Sequence, residues 1–314
     1  MSRQRVALDV EFAGMRLKNP VITSSGTCGY GTEFQRIYDV SLLGAIVTKA
    51  ISLRPRLGNA PPRLIERPAA MLSSCGLQNV GVQTFLEDKV PLLRNLGTEV
   101  IVNIAGESAE EFRELGRILS VCPEVSALEL NLSCPNVKSG GMSFGVDPKA
   151  VYDITGSVKE VTSKPVISKL TPNVADIVEV AKAAEAAGAD AVSLINGLLG
   201  MAIDVKARRP YMANIIGGLT GPAIHPVAVR MVWQVANEVG IPVIGMGGIS
   251  SAEDALEFLL AGATAVQIGT ANLFSPLTPV RVIDGIQGYL EEEGFSSVGE
   301  LRGSLGPPPD YDLL

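Results

Sequence analysis

Eight short runs rich in Val, Ile, Leu and Ala recur along this chain, and their spacing limits the fold more than any other feature. They are PVITSSG at 20–26, GAIVTK at 44–49, EVIVNIAG at 99–106, ALELNLS at 127–133, PVISKLTP at 165–172, AVSLING at 191–197, PVIGMGG at 242–248 and AVQIGT at 265–270. Such runs suit strands buried on both faces, as in parallel sheets. Between several of them lie stretches of helical periodicity: SAEEFRELGRIL at 108–119, VADIVEVAKAAEAAG at 174–188 and SAEDALEFLLAG at 251–262. The last opens with Ser251, carries Glu253 and Asp254 in its first turn and stops at a glycine, the signals of a helix with defined ends. Eight buried strands, most followed by a helix, predict an α/β fold of the (β/α)8 TIM-barrel kind. A doubly wound sheet would need fewer strands and usually a glycine fingerprint, and no G-x-G-x-x-G occurs. The region 54–77, with RPRLGNAPPRLIERP, holds too many prolines for a barrel helix. It predicts an excursion, a hairpin over the barrel mouth.

The chain has 314 residues and is 46% hydrophobic, enough for one large barrel domain spanning 1–314. A net charge of -7 argues against nucleic acid as the natural partner. No apolar run approaches the roughly 18 residues of a membrane helix, and no signal peptide follows the start. The four cysteines show no C-x-x-C spacing, so neither a disulfide framework nor a zinc or iron–sulfur site is expected. These features predict a cytoplasmic protein without membrane association.

Polar residues fall at the ends of the predicted strands. Lys49 ends the second, Asn103 is near the end of the third, Asn131 ends the fourth, Lys169 the fifth and Asn196 the sixth, and glycine clusters end the last two. In such barrels the C-terminal strand ends line the active-site face. A single Asn there is commonly a turn former; five amide or ammonium groups on one rim point to a site.

GMGGI at 245–249 and QIGTANLF at 267–274 follow the last two strands, where barrels commonly hold phosphate through backbone N–H groups. LTGPA at 219–223 adds another Gly-Pro loop. Tight strand–helix turns are the alternative for such glycines. A lysine at a buried strand end must be paired or desolvated. Lys49 and Lys169 would balance a phosphate, an anionic substrate or a reduced cofactor, with a structural ion pair as the alternative. A phosphate-bearing cofactor with amides and lysines around its head fits flavin mononucleotide (FMN). Cys134, in NLSCPNVKSGG at 131–141, stands just past its strand among loop-forming residues, where a thiol can serve as general base or nucleophile. Cys28, Cys75 and Cys122 suit packing roles, Cys75 beside the site. The sole histidine, His225, lies between prolines in PAIHP and is expected in a loop.

Taken together, NLSCPNVKSGG, VTKA, SSGTCGYG, GLQN, SKLTPN, GMGGI and IGTAN resemble a dihydroorotate dehydrogenase, from about Val6 to near Leu290. The cysteine in the loop resembles the soluble class 1 enzymes, and CPNVKSGGMSFG with AIDVKARRP resembles class 1B. The resemblance implies that Cys134 removes a proton from C5 of dihydroorotate while C6 passes hydride to flavin N5. It implies that Lys49 meets both flavin and substrate carboxylate, and that Asn103, Asn131, Lys169 and Ile195 hold the flavin ring. Ser24, Gly221, Gly247, Gly248, Gly269 and Thr270 would hold the rest of the FMN. Gly76, Leu77, Asn131 and Asn196 would grip the substrate, with Ser73 and Gly197 at two further substrate positions. An electron-transfer partner carrying FAD and a [2Fe–2S] cluster, around a homodimer core in a heterotetramer, follows in the same way, with NAD+ as final acceptor.

At two substrate positions the chain departs from the family pattern. Ser73 stands where the family has Asn, and Gly197 where it has Thr or Ser. Each lost hydrogen bond at a buried polar site costs roughly 1–3 kcal/mol when its partner goes unsatisfied. The departures leave a second reading open, a related FMN enzyme acting on another small cyclic or anionic substrate. A third is a flavin-binding subunit without catalysis.

Overall fold

A computed structural model of the chain describes residues 6–133, 135–136 and 142–307. Eight parallel strands close into a barrel: β1 (Val21–Thr23), β2 (Ala45–Val47), β3 (Glu99–Ile104), β4 (Ala127–Asn131), β5 (Val166–Lys169), β6 (Ala191–Leu194), β7 (Val243–Met246) and β8 (Ala265–Ile268). Each lies within one of the eight apolar runs. β8 pairs with β1 through Val266–Val21 and Ile268–Thr23, which closes the ring. Successive side chains point to opposite faces of a strand. The register sets Asn103 beside Glu129, and Lys169 beside both Asn131 and Ser193. One layer of polar side chains is thereby gathered inside the barrel.

Among the outer helices are α1 (Ala109–Ser120), α2 (Pro148–Lys159), α3 (Ile177–Ala186), α4 (His225–Ala236), α5 (Ala252–Leu260) and α6 (Thr278–Glu293). Their starts are chemically marked. Ser108 accepts from the Glu111 N–H, Asp147 from Lys149 N–H and Asp176 from Val178 N–H. At α5 the reciprocal pair is complete: Ser251 accepts from Asp254 N–H and Asp254 accepts from Ser251 N–H. Gly116 lets α1 approach α2, since a β-carbon there would stand 2.9 Å from Val158 Cγ1. No described helix is long and apolar enough to cross a membrane.

The expected hairpin is present as Leu64–Arg67 and Ala70–Ser73. It joins a four-stranded antiparallel sheet that the sequence did not announce. Ala70–Ser73 pairs with Ile216–Thr220, and that strand pairs with Leu198–Met201. Gly217 is obligatory in this sheet because a β-carbon would lie 2.5 Å from Met212 Cε and 2.8 Å from the Ser73 carbonyl. The sheet forms one wall of the large cavity at the C-terminal ends of the barrel strands.

Candidate active site

The cavity has a volume of about 780 Å³ and opens where the barrel sequence rule places active sites. Its lining carries two charged side chains among the described residues, Lys49 and Lys169, both cationic. The site therefore favours an anionic ligand before any specific contact is considered.

The floor rises from the strand ends. Lys49 follows β2 and enters no ion pair among the described residues. Lys169, at the end of β5, is almost fully buried and donates to Ser25 Oγ (2.9 Å) and to Glu129 Oε1 (3.4 Å). Glu129 lies two positions before Asn131 on β4 and is wholly buried. It accepts from Asn103 Nδ2 (2.7 Å), Gln267 Nε2 (2.7 Å) and Ser193 Oγ (3.0 Å) as well. A buried carboxylate survives only with such partners, and removing one side of a buried ion pair costs about 3–5 kcal/mol. Asn131 and Gln267 reach the cavity, and each keeps a buried carbonyl oxygen with no hydrogen-bond partner. Asn103 sits deeper than the cavity lining, fully buried against Glu129, with its own Oδ1 also unpartnered. Ile195, joined to Leu194 by a cis peptide, lines the cavity.

The second wall carries the residues expected at the substrate. Gly76 and Leu77 both have positive φ (66° and 54°) and line the cavity. Asn79 fixes their loop by donating to the Leu77 carbonyl and accepting from the Ser52 and Gly81 N–H groups. A β-carbon on Gly76 would stand 2.5 Å from Asn59 N, so the turn requires glycine. Asn196 donates to Ser133 Oγ (2.9 Å) and accepts from Gly197 N–H (2.8 Å). Asn173 and Thr171, both lining the cavity, had no role in the sequence reading. Asn173 donates to the Gly197 carbonyl (3.1 Å) and to Thr171 Oγ1 (2.9 Å). Ser73, opposite Gly218 in the sheet, has its hydroxyl 3.7 Å from the Cys75 thiol.

At the far end stand the glycine turns. Ser24, Gly221, Gly247, Gly248, Gly269 and Thr270 all line the cavity. Gly221, Gly247 and Gly248 have φ of 92°, 137° and 77°, values that side-chain-bearing residues rarely adopt. His225 corrects an expectation. It is not a loop residue but the buried first residue of α4, with Nδ1 3.1 Å from the Gly247 carbonyl and Nε2 3.3 Å from Glu257 Oε2. The prolines around it stand in the first turns of helical segments, where a missing N–H is tolerated, so they start structure there.

Cys134 lies outside the described residues; Ser133, its neighbour, lines the cavity. Two other thiols are poor nucleophiles. Burial pushes Cys28, 3.0 Å from Thr23 Oγ1, up to about 11. Burial, with Glu124 beside it, pushes Cys122 up to about 11. Cys75 lines the cavity as expected of a residue beside the site.

These groups suit FMN. Cationic lysines, turns with glycine-only geometry and buried amide carbonyls awaiting N–H donors match its phosphate and its polar ring edge. Gln267 adds a group that the sequence reading missed.

Comparison with known proteins agrees with this arrangement. Residues 7–290 match the family model described as dihydroorotate dehydrogenase. The chain is 56% identical to the dihydroorotate dehydrogenase B (NAD(+)) catalytic subunit of Geotalea uraniireducens, over 95% of this chain and 98% of that protein. It is 55% identical to the protein of the same name from Geobacter sulfurreducens, over 96% and 99%. It is 54% identical to that of Caldicellulosiruptor bescii, over 95% and 99%. On these grounds the chain belongs to the dihydroorotate dehydrogenase family.

Proposed function

We propose that this chain is the FMN-bearing catalytic subunit of an NAD+-linked dihydroorotate dehydrogenase, oxidising (S)-dihydroorotate to orotate in pyrimidine biosynthesis. One observation carries the reading. The cavity at the C-terminal strand ends gathers every described residue expected at cofactor or substrate except Asn103, and its charged lining groups among the described residues are two lysines. They complement a substrate carboxylate and a cofactor phosphate.

Each side chain then has a task. Cys134 takes the proton from substrate C5. Lys49 holds the substrate carboxylate close to the flavin, and Gly76, Leu77, Asn131 and Asn196 fix the substrate ring. Lys169, Ile195 and Asn103 support the ring system of the cofactor, while Ser24, Gly221, Gly247, Gly248, Gly269 and Thr270 hold its remainder. When bound, FMN supplies the acceptor for the hydride that leaves C6.

The electrons leave through a partner subunit that carries FAD and a [2Fe–2S] cluster and reduces NAD+, in a cytoplasmic heterotetramer built on a homodimer of this chain. The spacing of its own cysteines supplies no ligand set for such a cluster. A second reading keeps the FMN and Cys134 but changes the substrate to another small cyclic anion. Gly197, which offers no hydroxyl, and the short Ser73 favour it.

The deciding experiment is anaerobic. FMN-loaded protein is mixed with L-dihydroorotate and the visible flavin band is followed. Rapid bleaching supports the dihydroorotate reading. A flavin that stays oxidised yet is bleached by dithionite supports the second reading.

A further inference from the structure

We propose that Glu129 is a positioning residue that decides which atoms the cavity floor presents to the flavin, an inference that rests on the FMN reading above. An ionised carboxylate only accepts hydrogen bonds, with about four lone-pair sites on its two oxygens. Among the described residues, four side chains donate to Glu129, each from a different strand: Asn103 on β3, Lys169 on β5, Ser193 on β6 and Gln267 on β8. Its burial is complete, so water does not compete for these sites.

The consequence is geometric. An amide that gives its NH2 group to Glu129 must turn its carbonyl the other way. Asn103 Oδ1 and Gln267 Oε1 are both buried and both without a hydrogen-bond partner. A buried acceptor left unpaired is costly, and native structures retain few of them. Gln267 forms part of the cavity wall, as does Lys169. The floor therefore offers a carbonyl acceptor together with an ammonium donor. Its complement is a ligand edge that alternates an N–H donor with oxygen or nitrogen acceptors. The pyrimidine edge of the flavin ring has that alternation. A glutamine in place of Glu129 offers both a donor and an acceptor, and the orientation of the two amides is no longer dictated.

Charge is the second part of the argument. Glu129 is the counter-ion of Lys169, 3.4 Å away. With Lys49, the described groups at the floor sum to two positive charges against one negative. Loss of the carboxylate charge would leave Lys169 without its counter-ion and the floor with a net charge of two, which would favour a bound cofactor that has gained electrons.

The test compares wild type, Glu129→Gln and Ser193→Ala as full-length proteins, stripped of flavin and titrated with FMN. The reduction potential of the reloaded proteins is then measured at equilibrium against reference dyes. Glu129→Gln should bind FMN at least tenfold more weakly, and its bound flavin should have a more positive potential. Ser193→Ala removes one donor to Glu129 but keeps the charge and both amides, so its loss of affinity and its shift in potential should both be smaller than those of Glu129→Gln. Wild-type affinity and potential in Glu129→Gln overturn the proposal. If wild-type apoprotein itself fails to take up FMN, the flavin reading fails instead. Thermal unfolding of each apoprotein separates these outcomes from a folding defect. Should Glu129→Gln not fold, Glu129→Asp keeps the charge but withdraws the carboxylate from its donors by one methylene. Weak FMN binding by that folded variant supports the positioning role, and wild-type affinity overturns it.

Discussion

Gly197 lies against Gly218 so closely that a β-carbon on residue 197 would stand 3.0 Å from the Gly218 Cα and 3.3 Å from the Leu219 carbonyl oxygen. Those neighbours are backbone atoms of the strand that pairs with Ser73, so residues 197 and 73 meet the same strand. The small residue at 197 and the close seat of the antiparallel wall belong to the same packing solution. Gly197→Thr should destabilise the protein by about 1–3 kcal/mol, the usual cost of forcing volume into a packed site. Denaturant unfolding of the apoprotein checks this. Unchanged stability would mean that the strand yields.

Gly248→Ala tests the glycine turn. The φ of 77° alone costs a side-chain-bearing residue about 1–3 kcal/mol. The new methyl would also meet His225 Cβ at 2.7 Å and the Gly221 carbonyl at 2.9 Å. Gly294 has a similar φ of 79° with nothing within 4 Å, so Gly294→Ala carries the backbone cost alone. FMN titration should show at least a tenfold loss of affinity for Gly248→Ala and wild-type affinity for Gly294→Ala.

Cys134→Ser tests the base. A positioned general base contributes about 10²–10⁴-fold to a rate. A serine hydroxyl does not ionise near neutral pH, so anaerobic stopped-flow reduction of the flavin by dihydroorotate should slow by a factor in that range. FMN should remain bound. Equal rates in the two proteins would remove Cys134 from the mechanism.

Asp254 makes part of the stability pH-dependent. Burial alone would raise its pKa, but hydrogen bonds from the Ser250 N–H and hydroxyl and from the Ser251 N–H together hold it below the ordinary aspartate value of 3.8. A carboxyl whose pKa is depressed on folding stabilises the native state above its unfolded pKa. That stabilisation is lost as the pH falls through the lower folded value. Asp254→Ala should therefore lower stability at neutral pH, where the wild-type carboxylate is charged. The gap to wild type should be smaller at a pH below the lower folded value, itself below the ordinary 3.8, where the folded wild-type carboxyl is neutral too. Denaturation curves at the two pH values read the difference.

The barrel was legible because each strand is a short apolar run followed by a turn or helix signal, and those signals are local. The rim residues were legible because they break apolar runs at their ends. Glu129 was not, although it shares a face with Asn131, because it sits inside the run ALELN and its four partners lie on strands remote in sequence. The depth of Asn103, one position before the end of its strand and beside Glu129, depends on the closure of the ring, which no single segment encodes. The strand Ile216–Thr220 carries Gly217 and Gly218, which depress β-propensity, and its pairing is fixed by close packing instead. His225 was misplaced because prolines that open helices look like loop markers when read alone.

The antiparallel wall has a consequence for how the molecule assembles. The Thr220 hydroxyl donates to the Met71 carbonyl, a contact between residues 149 positions apart. Closing so long a loop costs chain entropy that is repaid only once the intervening strands have already drawn the ends together. On a chain emerging from the ribosome, residues 70–73 must wait for most of the barrel before meeting their partners. The antiparallel wall thus closes only after residues 216–220 have emerged, the glycine turns at 247–248 and 269–270 follow later still, and an incomplete chain holds only pieces of the pocket.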